Sequence, residues 1–155
     1  MPPRASHGFT LVELVMVIVI LGVMTAVVAP KLMDNSDIQA RGFADQVKAA
    51  LRYAQKTAIA QRRFVCSAFT SGSVTLTITS LVINKVAACP GAALASPAGE
   101  PAYVVTAPSG ITFSGTPADF SFDALGRPGP NAQQNIGIDG IASPIVVEAE
   151  TGYVH

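Results

Sequence analysis

Histidine is almost missing from this chain of 155 residues, and neither of its two copies sits where chemistry could use it. His7 lies close to the start and His155 is the last residue, so no His-centred triad can be assembled in a stable core. Cysteine is equally scarce: Cys66 and Cys89 are too far apart for a redox Cys-x-x-Cys motif and lack the His or Cys company of a zinc site. No stretch has the spacing of an EF-hand calcium loop, and there is no glycine-rich phosphate loop. Asp119, Asp123, Glu148 and Glu150 could form carboxylate pairs, but acids scattered over strand edges and turns are ordinarily solvated. No cofactor, metal or catalytic residue is expected, and the chain does not read as an enzyme.

An excess of one charge is also lacking. Ten Lys and Arg balance ten Asp and Glu, so no strong field draws nucleic acid or anionic lipid. Arg127 stands alone among Pro128 and Gly129 where a grip on phosphates would need several cations. The charges are nevertheless unevenly spread, with a net of +4 between Lys31 and Arg63 and −4 from Phe64 onward.

What the chain does have is one long apolar run. Phe9 to Ala29 is 21 residues, with Glu13 the single ionisable side chain, close to the roughly 20 that a helix needs to cross a hydrocarbon core. A carboxylate in such a helix is costly unless it sits shallow or finds a partner. An ordinary secretory signal accounts poorly for the run, because Glu13 would fall inside an h-region that is already too long and Pro30 would follow the cut. A plain anchor leaves Gly8, Phe9 and Glu13 unexplained, and a helix apolar all round does not suit the surface of a small core.

Beyond the run, Asp34-Asn35-Ser36-Asp37 offers capping side chains, and Phe43, Val47, Ala50, Leu51, Ala54 and Ala58 recur at helical spacing. This is an amphipathic helix with a narrow, alanine-rich stripe, suited to lie closely on a sheet. Pro30, between the two helical patterns, is expected to kink or interrupt the backbone. After Arg63 the period changes. Val74 to Thr79 alternates strictly, and shorter strands are expected at Phe64–Phe69, Leu81–Val86, Tyr103–Thr106, Ile111–Phe113, Asp119–Phe122, Asn135–Ile138 and Ile145–Glu150. Residues 87–101 read as a surface loop, and Leu125-Gly126-Arg127-Pro128 as a tight turn between strands. The expected class is α+β, a long helix on a small, mostly antiparallel sheet.

Gly8-Phe9-Thr10-Leu11-Val12-Glu13, behind a leader of eight residues, resembles the signal of type IV prepilins and type II secretion pseudopilins. Phe120 to Pro128, Ile136 to Ile138, Ile145 to Val147 and the Thr151-Gly152-Tyr153-Val154 ending are similar to minor pilins and pseudopilins of the GspH/FimT type, which include MSHA-type minor pilins. The resemblance implies a type IV pilin-like fold in four parts: a cleaved leader at 1–8, a transmembrane and assembly helix at 9–30, an amphipathic half-helix at 31–63 and a β-rich head at 64–155. It implies cleavage between Gly8 and Phe9, N-methylation of Phe9, and Glu13 as the assembly carboxylate. The implied partners are other pilin or pseudopilin subunits, a prepilin peptidase and methylase, and inner-membrane lipid, with the head in the periplasm. The alternatives are a GspH-like pseudopilin of a secretion system, or a tethered adhesin or DNA receptor.

Three physical readings stand beside that resemblance. Cleavage would leave an α-amino group four residues from Glu13, able to pair with its own Glu13 or with that of a neighbour, the second arrangement setting the axial register between subunits. The basic helical half and the acidic remainder are either two solvated faces or complementary surfaces of stacked subunits. In an exported head Cys66 and Cys89 would form a disulfide, closing 22 intervening residues and stabilising the fold by roughly 3 kcal/mol in the chain-entropy view. Two buried free thiols are the competing arrangement.

Overall fold

The structure is a computed structural model that describes residues 10–33, 35–79 and 89–155, with only the backbone described for 27–33. It divides into two compact units, Met1–Asn35 and Ser36–His155. The first holds helix α1 (Leu11–Met33). Pro30 was the expected interruption, yet the helix continues to Met33 and the next helix, α2 (Ser36–Gln61), begins after Asn35. The helix ends just ahead of the Asp34-Asn35-Ser36-Asp37 stretch.

The second unit is the α+β head. On α2 the buried positions are Ala40, Phe43, Ala44, Val47, Ala50, Leu51, Ala54, Thr57 and Ala58, the narrow stripe that the sequence predicts. Five of these nine are alanines, which lets the helix axis approach the sheet closely. The helix ends on Arg62, at φ 52°, with the Arg63 N–H donating to the Ala58 carbonyl (3.2 Å). This left-handed cap usually takes glycine.

The main sheet contains β1 (Val65–Phe69), β2 (Ser73–Ile78), β3 (Ala92–Ala93), β4 (Tyr103–Thr106), β5 (Phe120–Phe122) and β6 (Pro128–Gly129), all antiparallel. Its order is β3-β2-β1-β5-β6, with β4 beside β3 along the same edge of β2. β7 (Gln134–Ile136) and β8 (Ile145–Val147) form a separate antiparallel pair. Register fixes the faces. Val65, Ser67 and Phe69 oppose Ile78, Leu76 and Val74, so these residues share the side that carries the core. Phe120 and Phe122 oppose Ser67 and Val65 and extend that layer, while Cys66, Thr77 and Ser121 share the outer side. Phe69 stacks on Phe120 and meets Phe113 edge-on, joining the sheet to the loop beyond β4.

Two expected strands are not found as such. Leu81–Val86 lies outside the described residues. Ile111–Phe113 makes only one bridge, Phe113 to Ile138, because turns at Gly110 and Gly115 (φ 84° and 82°) leave it no room to pair further. Its side chains still follow the expected alternation, with Ile111 and Phe113 buried in the core. The 87–101 stretch, read as loop, contains β3 within its described part.

Candidate functional site

The described part of the first unit opens at Thr10. The Thr10 Oγ1 accepts the Glu13 N–H (3.3 Å), and the Thr10 carbonyl accepts the Leu14 N–H (3.2 Å). Thr10 is therefore the N-cap and Glu13 the third helical residue, the spacing of a capping box. Glu13 also lies in the first turn, where a carboxylate favourably meets the helix dipole. The Thr-x-x-Glu signal is present in the sequence but is overshadowed there by the more conspicuous apolar run. Gly8 and Phe9 lie outside the described residues. From Leu11 to Met24 every large apolar side chain of α1 is exposed. Among the described residues no helix is long and apolar enough to cross a membrane, the described side chains of this run ending at Ala26.

Cys66 and Cys89 are joined in a disulfide, with their Cα atoms 5.9 Å apart. Cys66 is on the outer face of β1, opposite Thr77 and Ser121. Just past Cys89, the Gly91 N–H donates to Thr77 Oγ1 (3.1 Å), and Gly91 lies so close to the Ile78 carbonyl that a Cβ would not fit. The bond thus delivers β3 to the edge of β2. Beside it opens a cavity of about 300 Å³, lined in part by Ala68, Pro90, Asp119 and Gly129. Among the described residues no group of His, Cys, Asp or Glu could hold a metal.

The other organised region joins the end of α2, the β5–β6 turn and the C-terminal loop. Asp123 organises the turn: Oδ1 accepts the N–H groups of Leu125 (2.9 Å) and Arg127 (2.8 Å), and Oδ2 accepts Arg127 Nε (3.0 Å) and Nη2 (2.9 Å). Arg127 is thereby occupied within its own turn. From α2, Gln55 Nε2 donates to the carbonyls of Gly126 (3.3 Å) and Thr151 (2.8 Å). One turn earlier, Arg52 Nε and Nη2 donate to the Val154 carbonyl (3.1 and 2.9 Å). Gly126 (φ 81°) and Gly152 (φ 64°) make this possible, since Gly152 lies against the Gly126 carbonyl with no room for a Cβ. Arg52 belongs to the basic helical half that could be either a solvated face or a surface for stacked subunits; its guanidinium holds the chain's own C-terminal segment.

Three further acids make contacts within the head. Asp119 Oδ1 accepts the Phe69 N–H (2.8 Å) at the end of β1. Asp139 accepts the hydroxyls of Thr112 (2.7 Å) and Ser114 (2.8 Å), which hold its carboxyl below the usual range. Glu148 Oε1 is 3.1 Å from Nε2 of His155, whose ring stacks on Tyr153. Arg52 and Gln55 were missed as positioning residues because their partners are backbone carbonyls, which a sequence does not distinguish.

Residues 3–29 match the family described as the prokaryotic N-terminal methylation motif. The type IV narrow pilus major component PilA5 of Thermus thermophilus is 39% identical over 58 residues, 37% of this chain and 50% of that protein. The chain thus spans about half the length of this curated relative. Two crystal forms of the type IV minor pilin FimU of Pseudomonas aeruginosa share the fold, with TM-scores of 0.50 and 0.53 at 14% and 13% identity. They cover 74% and 78% of this chain and 90% of FimU in each case. The chain thus has a type IV pilin-like α+β fold and carries a match to the N-terminal methylation motif at its start.

Proposed function

We propose that the chain is a minor structural subunit of a type IV pilus. A prepilin peptidase cuts between Gly8 and Phe9, the new Phe9 amine is methylated, and the Phe9 to Ala29 helix holds the protein in the inner membrane with its head in the periplasm until assembly. The observation that carries this reading is the methylation motif over residues 3–29, at the head of a helix with every large apolar side chain from Leu11 to Met24 exposed. Such a surface needs lipid or neighbouring helices around it. PilA5 and FimU are both pilus proteins by description, which favours the pulling of this helix into a pilus over a secretion pseudopilus.

Glu13 has two separable tasks under this reading. As third residue of the helix it supports the cap with Thr10, and as an anion it pairs with the Phe9 amine of a neighbouring subunit and sets register. Glu13→Gln keeps a side chain able to serve the cap but removes the charge, whereas Glu13→Val removes both. Mass spectrometry of the mature protein should find residues 1–8 gone and one methyl added to Phe9, with Gly8→Ala accumulating the uncut form. Glu13→Gln and Glu13→Val should both insert in the membrane and stay out of sheared pili. An unprocessed N-terminus in the wild type, or normal incorporation of Glu13→Gln, would count against the mechanism.

A further inference from the structure

The head exposes large apolar side chains at both ends of α2. At the C-terminal end Ile59, Leu125 and Tyr153 are 47%, 70% and 58% exposed. They come from three elements that the structure draws together. Gly126 lies against Ile59, a Cβ there coming within 2.7 Å of Ile59 Cδ1, and Gly152 lies against both the Gly126 carbonyl and Gln55. Leu125 and Tyr153 are the immediate neighbours of these two glycines. Their backbones are held by Gln55 and by the Asp123–Arg127 turn, so ordering costs are met before any partner arrives. Apolar anchors on a rigid frame are what binding hot spots consist of.

At the opposite end Ile38 is 71% exposed. Asp37 precedes it, and Asp139 reaches the same corner through Gly140, whose Cβ position is 3.9 Å from Asp37 Oδ1. Arg41, one turn along, is the cation there. The C-terminal cluster has the reverse surroundings: Lys56 lies one turn before Ile59 on α2, and Arg62 donates its N–H to the Ile59 carbonyl (3.4 Å). Among the described residues neither Lys56 nor Arg62 is in an ion pair; Glu150 is the free acid on that side, Asp123 and Glu148 being engaged.

We propose that the Ile59–Leu125–Tyr153 cluster of one head docks on the Ile38 corner of a second copy of this chain. Apolar contact supplies the affinity, while Lys56 and Arg62 against Asp37 and Asp139 select head-to-tail orientation. The two patches differ, so the contact is heterologous and repeats without closing into a dimer. It rests on the filament reading and adds which surfaces of adjacent heads meet. It requires at least short runs of consecutive copies within the filament.

The full-length chain carrying Ile38→Cys and Leu125→Cys together, oxidised in sheared filaments, tests the contact directly; the native cysteines are already bonded to each other. A ladder of cross-linked copies is expected, with none from Ile38→Cys combined with Thr106→Cys on the outer side of the sheet. Tyr153→Asp should cut the ladder about fivefold or more, and Lys56→Glu about twofold to fivefold, an exposed charge pair being the weaker contribution. Thiol counts on the denatured protein verify that each variant keeps its native disulfide. Chain found in filaments without the ladder overturns the contact and leaves the filament reading standing; a cross-link to a different polypeptide overturns the second copy as partner. Absence of the wild-type chain from filaments would defeat both.

Discussion

Gly152→Ala is expected to destabilise the head in two ways that can be measured apart. At φ +64° an alanine in place of glycine costs about 1–2 kcal/mol for the left-handed backbone alone. The new Cβ would also meet the Gly126 carbonyl and come within 2.9 Å of Gln55 Nε2. Gln55 must then give up its bonds to Gly126 and Thr151, each worth about 0.5–1.5 kcal/mol net. The sum is about 2–5 kcal/mol. For the unit Ser36–His155, about 120 residues, an unfolding entropy of about 2.1 cal/mol/K per residue makes 1 kcal/mol equal to about 4 °C, hence a fall in Tm of about 8–20 °C. Gly99→Ala provides the reference, because Gly99 has φ +89° with nothing within 4 Å of its Cβ position, and should lose only the backbone part. Urea unfolding of Ser36–His155 followed by circular dichroism, for Gly152→Ala, Gln55→Ala and the pair, completes a double-mutant cycle. Because one substitution disables the other's hydrogen bonds, the pair should cost about 1–3 kcal/mol less than the two separately. Additivity within about 0.3 kcal/mol, or a Gly152→Ala cost equal to that of Gly99→Ala, would refute the clamp.

Replacing both Cys66 and Cys89 by Ala should lower the stability of the head by roughly 3 kcal/mol, the cost of freeing a loop of separation 23, read in the same urea titration; an unchanged midpoint would refute it. Asp139 has a folded-state pKa held below its ordinary value by the Thr112 and Ser114 hydroxyls. Its contribution is therefore present above the unfolded carboxylate pKa and is lost as pH falls through the folded one. The Tm difference between wild type and Asp139→Asn should shrink from about pH 6 towards about pH 2, and parallel curves would exclude that role.

Legibility in the sequence followed the physical origin of each element. Val74 to Thr79 announced β2 because one face of that strand is buried, so that Val74, Leu76 and Ile78 had to alternate with Thr75 and Thr77. Tyr103–Thr106 coincides with β4 because its aromatic and β-branched residues favour a strand, although only Val105 is buried. The stripe on α2 was equally visible, since only a helix brings Phe43, Val47, Leu51 and Ala58 to one side. β3 and β6 were not visible. Ala92–Ala93 and Pro128–Gly129 have little strand preference of their own. They pair because the disulfide brings one to the edge of β2 and the Asp123 turn returns the other to β5. Gly126 could be read as a turn glycine, but Gln55 and Arg52 could not be read as its supports: their carbonyl partners Gly126 and Val154 are 71 and 102 residues away.

This difference between pattern and partner also separates the tasks of the two helices. α2 derives its stability from what it touches: an alanine stripe closes on the sheet, and Arg52 and Gln55 on its flank fasten two distant loops. Substitutions there act first on folding, which is why charge reversal at Arg52 would report on the C-terminal segment rather than on encounters between subunits. α1 has no buried side chain among those described, so its apolar residues stabilise nothing until lipid or another helix covers them. Under the proposed function, substitutions along α1 should appear in insertion or assembly. Lys56, Ile59, Leu125 and Tyr153 form the intermediate case. They stand on the rigid frame made by α2 yet remain exposed, so a change at their tips can weaken association without loosening the fold beneath.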